Sequence, residues 1–302
     1  MNKLFYPPYQ KSGLIARFFF ISAVFYVIAQ GILLLFLSIK TNGQFENIDI
    51  VFLAKNYPVF FKILQIIQSL TIFFIPAIIF PFFAGNTFSN FYPLKKIKIS
   101  TIIIIFLFIT ISIPFVNSLI QLNKILPLKE EIMLYFQEQQ NSADNLIKIL
   151  LNTNKSISGF FLNTITIAFI PAISEEIFFR GALQKILEKN IKNIHFAIII
   201  TALIFSFIHF QFLTFLPRFY LGIILGYLFY WSNNLLIPIL AHFINNFFGV
   251  FSNHFLSIDL QNKIDKIGSD ISVFPIILTF ALISITFYLV KKHFEYAYKQ
   301  QK

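Results

Sequence analysis

Apolar residues fill this chain in long blocks, and most polar residues are gathered between them. The blocks lie at about 14–39, 58–84, 99–122, 159–187, 194–213, 215–231, 235–255 and 272–291. A helix rising 1.5 Å per residue needs about 20 residues to cross a hydrocarbon core of about 30 Å. Each block therefore predicts one transmembrane helix, and the expected fold is all-α, a polytopic bundle of about eight spans. No internal repeat or low-complexity linker divides the chain, so residues 1–302 read as a single integral membrane domain. The first block is too long for the core of a signal peptide and lacks a small-residue cleavage site, so it is expected to be retained. The segment 123–157 is less apolar. Within it, 132–136 and 146–151 predict helices lying at the outer interface, or a structured loop covering the bundle.

Composition agrees with the pattern. Hydrophobic residues make up 57% of the chain and charged residues 12%, against about 25% charged in soluble domains. The mean hydropathy is +0.75. There is no cysteine, which excludes disulfides, thiolate catalysis and thiolate zinc sites. Heavy use of Phe, Ile, Lys and Asn fits an AT-rich, bacterial coding sequence, so the Phe content says little about function. The net charge of +11 sits on lysines flanking apolar blocks. That suits an anionic bilayer leaflet and does not call for nucleic acid.

Eight spans put both termini on one side, and the cations choose it. Thirteen Lys and Arg, among them Lys95, Lys96, Lys98, Lys185, Lys189 and Lys192, fall on the side of the termini, and ten fall on the other. The thirteen lie in short segments, where the positive-inside rule applies best. The expectation is a multi-pass protein of the cell membrane with cytoplasmic termini. Arginine is scarce: Arg17, Arg180 and Arg218 are the only three. In a lysine-biased chain this hints that the planar guanidinium matters where it is kept.

The fourth span carries Glu175, Glu176 and Arg180 inside an apolar stretch. Charges at bilayer depth cost several kcal/mol and face a bundle interior or a wet cavity, where they carry function. Glu176 and Arg180 stand four apart with the acid first, the favourable order for a same-face ion pair. Glu175 points about 100° away, which leaves one carboxylate neutralised and one free for chemistry. A general base needs an orienting partner. The turn at 190–193 lies midway between Glu175 and His209, so a helical hairpin puts these two at one height. His242 and Asn246 share a face of the seventh span and reach the same depth if the first turn protrudes. Taken singly, each residue has a plain reading: packing histidines, an interhelical amide, a structural ion pair, and Gly222-x-x-x-Gly226 as a close-packing pair. Their convergence at one depth on three spans points to hydrolysis. His195, His254 and His293 read as interfacial. There is no His-Glu-x-x-His, and Ser174 and Ser206 lack the Gly-x-Ser-x-Gly setting of a serine nucleophile.

The three blocks Glu175-Glu176-x-x-x-Arg180, Phe205-x-x-x-His209 and His242-x-x-x-Asn246 resemble those of the CPBP family of intramembrane proteases, the CAAX-protease and bacteriocin-processing or Abi group. Phe179-Arg180-Gly181, Gly222-x-x-x-Gly226 and Pro238 fit the same pattern over roughly 159–250. The turn 231–234 departs from it. The resemblance implies hydrolysis of a peptide bond in a membrane-associated peptide or protein. By position, Glu175 with His209 activates water, His242 and Asn246 stabilise the oxyanion, and Glu176, Arg180 and Phe205 support them. No cofactor is then required. A zinc version of the same scheme would use Glu175, His209 and His242 as ligands around one open position. Two further functions compete: a non-catalytic immunity or partner-binding protein of the same fold, and a solute transporter. The intact set of polar groups speaks against the first. The lack of an inverted repeat speaks against the second.

Overall fold

The computed structural model describes residues 13–41, 50–125, 127–152, 155–269 and 273–299. Lys3, Lys11 and Lys302, counted above for topology, lie outside them. The described residues form twelve helices and no strand. They are α1 (Leu14–Thr41), α2 (Ile50–Asn56), α3 (Pro58–Phe83), α4 (Phe88–Phe91), α5 (Ile99–Lys124), α6 (Glu130–Asn152), α7 (Ile157–Ile191), α8 (Ile194–Phe207), α9 (Phe215–Ser232), α10 (Leu236–Phe255), α11 (Ile258–Lys266) and α12 (Val273–Lys299). Seven of them, α1, α3, α5, α7, α9, α10 and α12, are long and apolar enough to cross a membrane, and α8 is a shorter apolar helix. Large apolar side chains such as Phe20, Leu35, Phe82, Phe161 and Tyr288 stand on the outside of the bundle, as lipid-facing positions do.

Two expectations are corrected in detail. The block at 194–213 predicts a full span, but α8 stops at Phe207. Phe210 takes a left-handed φ of 52°, which no helix can continue. At 14 residues, α8 rises only about 21 Å. The two interfacial helices expected in 123–157 are one helix, α6, with only Leu150 and Leu151 buried along it.

α7 is the hub, packing against α3, α8, α9 and α10. One apolar core joins α1, α3, α7 and α8; a second joins α5, α9, α10 and α12. Tight contacts fix the heights of the helices. A Cβ on Gly222 would lie 2.9 Å from the Ala202 backbone, so α8 and α9 touch closely there. The turn between α9 and α10, with Asn233 at φ 42°, is tied down by Asn234. Its side chain accepts from Lys95 N at 3.0 Å and donates to Lys95 O at 2.9 Å. That anchor sets the level of α10, and with it His242.

Candidate active site

α7 carries the acids, and its local sequence shapes it. Ser156 caps the start, its hydroxyl accepting from Gly159 N at 3.2 Å. Wide π-turns interrupt the helix at Thr164–Phe169 and Ile177–Gln184, the kind of irregularity that gathers at functional sites. Pro171 lies between the first π-turn and the acids. Proline has no N–H, so the carbonyl four residues back, that of Ile167, loses its α-helical donor. The Asn246 amide of α10 reaches that oxygen, at 3.5 Å.

Glu176 and Arg180 are fully buried, and the expected pair is present: Arg180 Nη1 donates to Glu176 Oε1 at 2.6 Å. The same oxygen accepts from His242 Nδ1 at 2.8 Å. Arg180 Nη2 donates to Gly222 O at 3.0 Å, and its guanidinium lies 4.8 Å over the Phe205 ring. Gln184, one turn on, donates to Gly226 O at 3.2 Å. Gly222-x-x-x-Gly226 therefore does more than allow close packing. It offers two bare carbonyls to α7.

Glu175 turns away from Glu176, as the helical angle requires. Its Oε2 is buried, has no protein hydrogen-bond partner, and lies 4.0 Å from His242 Nε2. His242 thus stands between the two carboxylates, one on each ring nitrogen. Glu176 Oε1, paired with Arg180, accepts from Nδ1, so in the neutral ring Nε2 presents a lone pair towards Glu175. The 4.0 Å separation is too long for a direct hydrogen bond.

His209 lies just past the end of α8. Its Nδ1 pairs with Phe205 O at 2.7 Å, so its Nε2 is the available nitrogen. Phe205 is buried with its ring edge-on to both histidines, at 5.2 Å from His209 and 5.9 Å from His242. Glu175 Oε2 faces His242 Nε2 at 4.0 Å, and among the described residues no ion pair or hydrogen bond joins Glu175 to His209. The hairpin arithmetic matched the heights of Glu175 and His209 by extending the helix through a turn. Asn246 is one helical turn beyond His242, and its Oδ1 accepts from Asn245 Nδ2 at 3.1 Å. Among the described residues, no three His, Asp or Glu side chains are grouped as a metal ion would need, so the set Glu175, His209 and His242 does not form a ligand cluster.

Ser174 and Ser206 spend their hydroxyls on backbone carbonyls, those of Ile170 and Phe215, each at 2.7 Å. His195 pairs with Tyr227 OH at 2.7 Å and His293 with Thr101 at 2.9 Å, while His254 packs on Phe160 and Phe255. All three lie outside the site. Sequence reasoning missed Gln184 and Asn245. Gln184 lies four residues after Arg180, as Gly226 lies four after Gly222, and that shared spacing is the one signal that pointed to it.

Residues 157–248 match the family model described as type II CAAX prenyl endopeptidase Rce1-like. The match covers about a third of the chain and spans all three polar blocks. No curated protein and no solved structure matches the chain.

Proposed function

We propose that this protein is an intramembrane endopeptidase that hydrolyses a peptide bond in a membrane-associated peptide or protein. The observation that carries the reading is the buried, unpartnered Glu175 oxygen 4.0 Å from His242 Nε2. A carboxylate in that setting removes a proton from water as the water attacks the scissile carbonyl. Glu176 orients His242 through Nδ1, as a carboxylate orients the histidine in hydrolytic triads, and Arg180 holds Glu176 in place. As the carbonyl becomes tetrahedral, Asn246 Nδ2 leaves its long bond to Ile167 O and donates to the oxyanion. The proton that Glu175 took from the water passes to His242 Nε2, which donates it towards the oxyanion and then yields it to the leaving amine as the C–N bond breaks. His209, whose Nδ1 is held by Phe205 O, supports the removal of the proton from water through Nε2. Fixed donors in a dry site stabilise a developing charge far more than they would in water.

The scheme needs no metal. Its test is turnover by the purified protein, followed together with elemental analysis through a slow, strong chelator treatment. Activity is expected to survive, and Asn246→Ala to cost about 2.7–4 kcal/mol in the chemical step. Stoichiometric zinc that leaves in step with activity and restores it on return would replace this scheme by the zinc version. Asn246→Ala would then be the mild variant and His242→Ala the one that loses metal.

A further inference from the structure

Arg180 is held by Glu176 and Gly222 O, and Arg17 donates to Phe83 O. Arg218, the third arginine, has no part in the chemistry above. It lies one turn into α9, half-buried. Its Nη1 donates to Thr214 Oγ1 and Gln211 O, and its Nη2 to Gln211 Oε1. A guanidinium has five N–H donors. These three bonds leave Nε–H and one Nη2–H, adjacent donors on one edge of the fork. All three acceptors are neutral. Among the described residues no carboxylate lies within ion-pair distance of Arg218. Asp144 stays two residues removed, accepting from Gln140 Nε2 at 2.9 Å, while Gln140 accepts from Thr214 at 3.4 Å.

The location is as informative as the lack of a direct ion pair. Arg218 lies within electrostatic reach of both Glu175 and His209. It lines a cavity of about 150 Å³ together with Ser112, Tyr220 and Asn245. Asn245 is bonded to Asn246, so the cavity wall continues into the group assigned to the oxyanion. That volume has room for a carboxylate and the few atoms beside it. A cation taken partly out of water calls for an anion, and the arginine fork matches a carboxylate through two parallel hydrogen bonds. Gln211 and Thr214 clamp the other edge, so the fork is already oriented.

We propose that Arg218 binds a carboxylate of the peptide substrate through its free Nε/Nη2 edge and so helps select the bond that is cut. The proposal rests on the peptidase reading for its substrate class. Two sources share the chemistry: the α-carboxylate at a chain end, and an Asp or Glu side chain near the cut.

The test uses four randomised peptide libraries, ending in a free acid or an amide, each with or without Asp and Glu. Binding to the full-length purified protein in a neutral detergent is measured, and cleavage is followed by mass spectrometry in the same samples. The wild type is expected to bind the libraries that carry a carboxylate about 10- to 100-fold better than the one that carries none. Arg218→Gln should lose that preference, and Arg218→Lys should keep only part of it, since the charge remains and the fork does not. The acid-against-amide and Asp/Glu arms identify the source. Equal binding of the carboxylate-free library by the wild type overturns the proposal, as does a preference that survives in Arg218→Gln. If Arg218→Gln does not fold, Gln211→Met, which unclamps the fork, takes its place with the same two outcomes. Abolition of the preference by phosphatidylglycerol vesicles, with none by phosphatidylcholine vesicles, assigns Arg218 to a lipid phosphate instead. Absence of cleavage in every library counts against the peptidase reading, while the binding preference still decides the role of Arg218.

Discussion

His242 gives one ring nitrogen to each of two adjacent glutamates, and that difference separates their roles. Glu175→Gln keeps the shape and removes the base, so cleavage should fall at least about 100-fold, the usual scale for general-base loss, with no loss of folded protein. Glu176→Gln acts differently. It leaves the Arg180 cation buried without its counter-charge, which costs about 3–5 kcal/mol where a buried pair is broken, so thermal stability and activity should drop together. Turnover by Glu175→Gln with none by a stable Glu176→Gln would exchange the two roles. The pair of Glu176 with Arg180 and the divergence of Glu175 were legible in the sequence, because helical spacing alone dictates both. The partner of Glu175 was not. Counting residues from a turn gives depth along a helix axis but no azimuth. It also assumes a helix through His209, where the chain has already left the helix at Phe207.

At the scale of the elements, the site depends on how closely α9 approaches α7 and α8. The eight apolar blocks were readable because a bilayer demands long apolar helices. The use of the Gly222 and Gly226 carbonyls as hydrogen-bond acceptors for α7 was not, since a small-residue pair signals close approach without saying what fills the gap. The two glycines should respond unequally to a methyl group. On Gly222 it would meet the Cα and Cβ of Ala202 at 2.9 and 2.8 Å, with backbone that cannot yield. On Gly226 it would meet side chain only, Ile198 Cγ2 at 2.8 Å and Gln184 Oε1 at 3.0 Å, which can shift further than backbone can. Gly222→Ala should therefore destabilise by about 1–3 kcal/mol, the range for overpacking, and lower activity by displacing the carbonyl that receives Arg180. Gly226→Ala should be milder on both counts. Thermal unfolding in detergent decides, and the reverse order would contradict this account of the helix contacts. The merging of the two expected interfacial helices into α6 runs through a mixed middle: 137–140 and Ala143 favour a helix, Asn141, Ser142, Asp144 and Asn145 do not, and Gln140 bonds Asp144 one turn on at 2.9 Å.

For the whole molecule, the match to the Rce1-like family covers the segment that holds the acids, the histidines and Asn246, and α1, α3, α5 and α12 pack around that segment or its partners. Seven span-length helices and the shorter α8 return the chain to its starting side if α8 counts as a crossing. Reporter fusions in 40–55 and 259–270 should then read external and fusions after Lys299 internal. An external C-terminus would remove one crossing, with α8 the first to be questioned. The claim on which everything else depends is that Glu175 drives water into a peptide bond. The most direct measurement reconstitutes the purified protein with membrane proteins of its own cells in heavy-oxygen water and identifies new peptide termini by mass spectrometry. The account predicts new C-termini that carry the heavy oxygen with the wild type and almost none with Glu175→Gln. No new termini with the wild type, or the same labelled termini with both proteins, would contradict it.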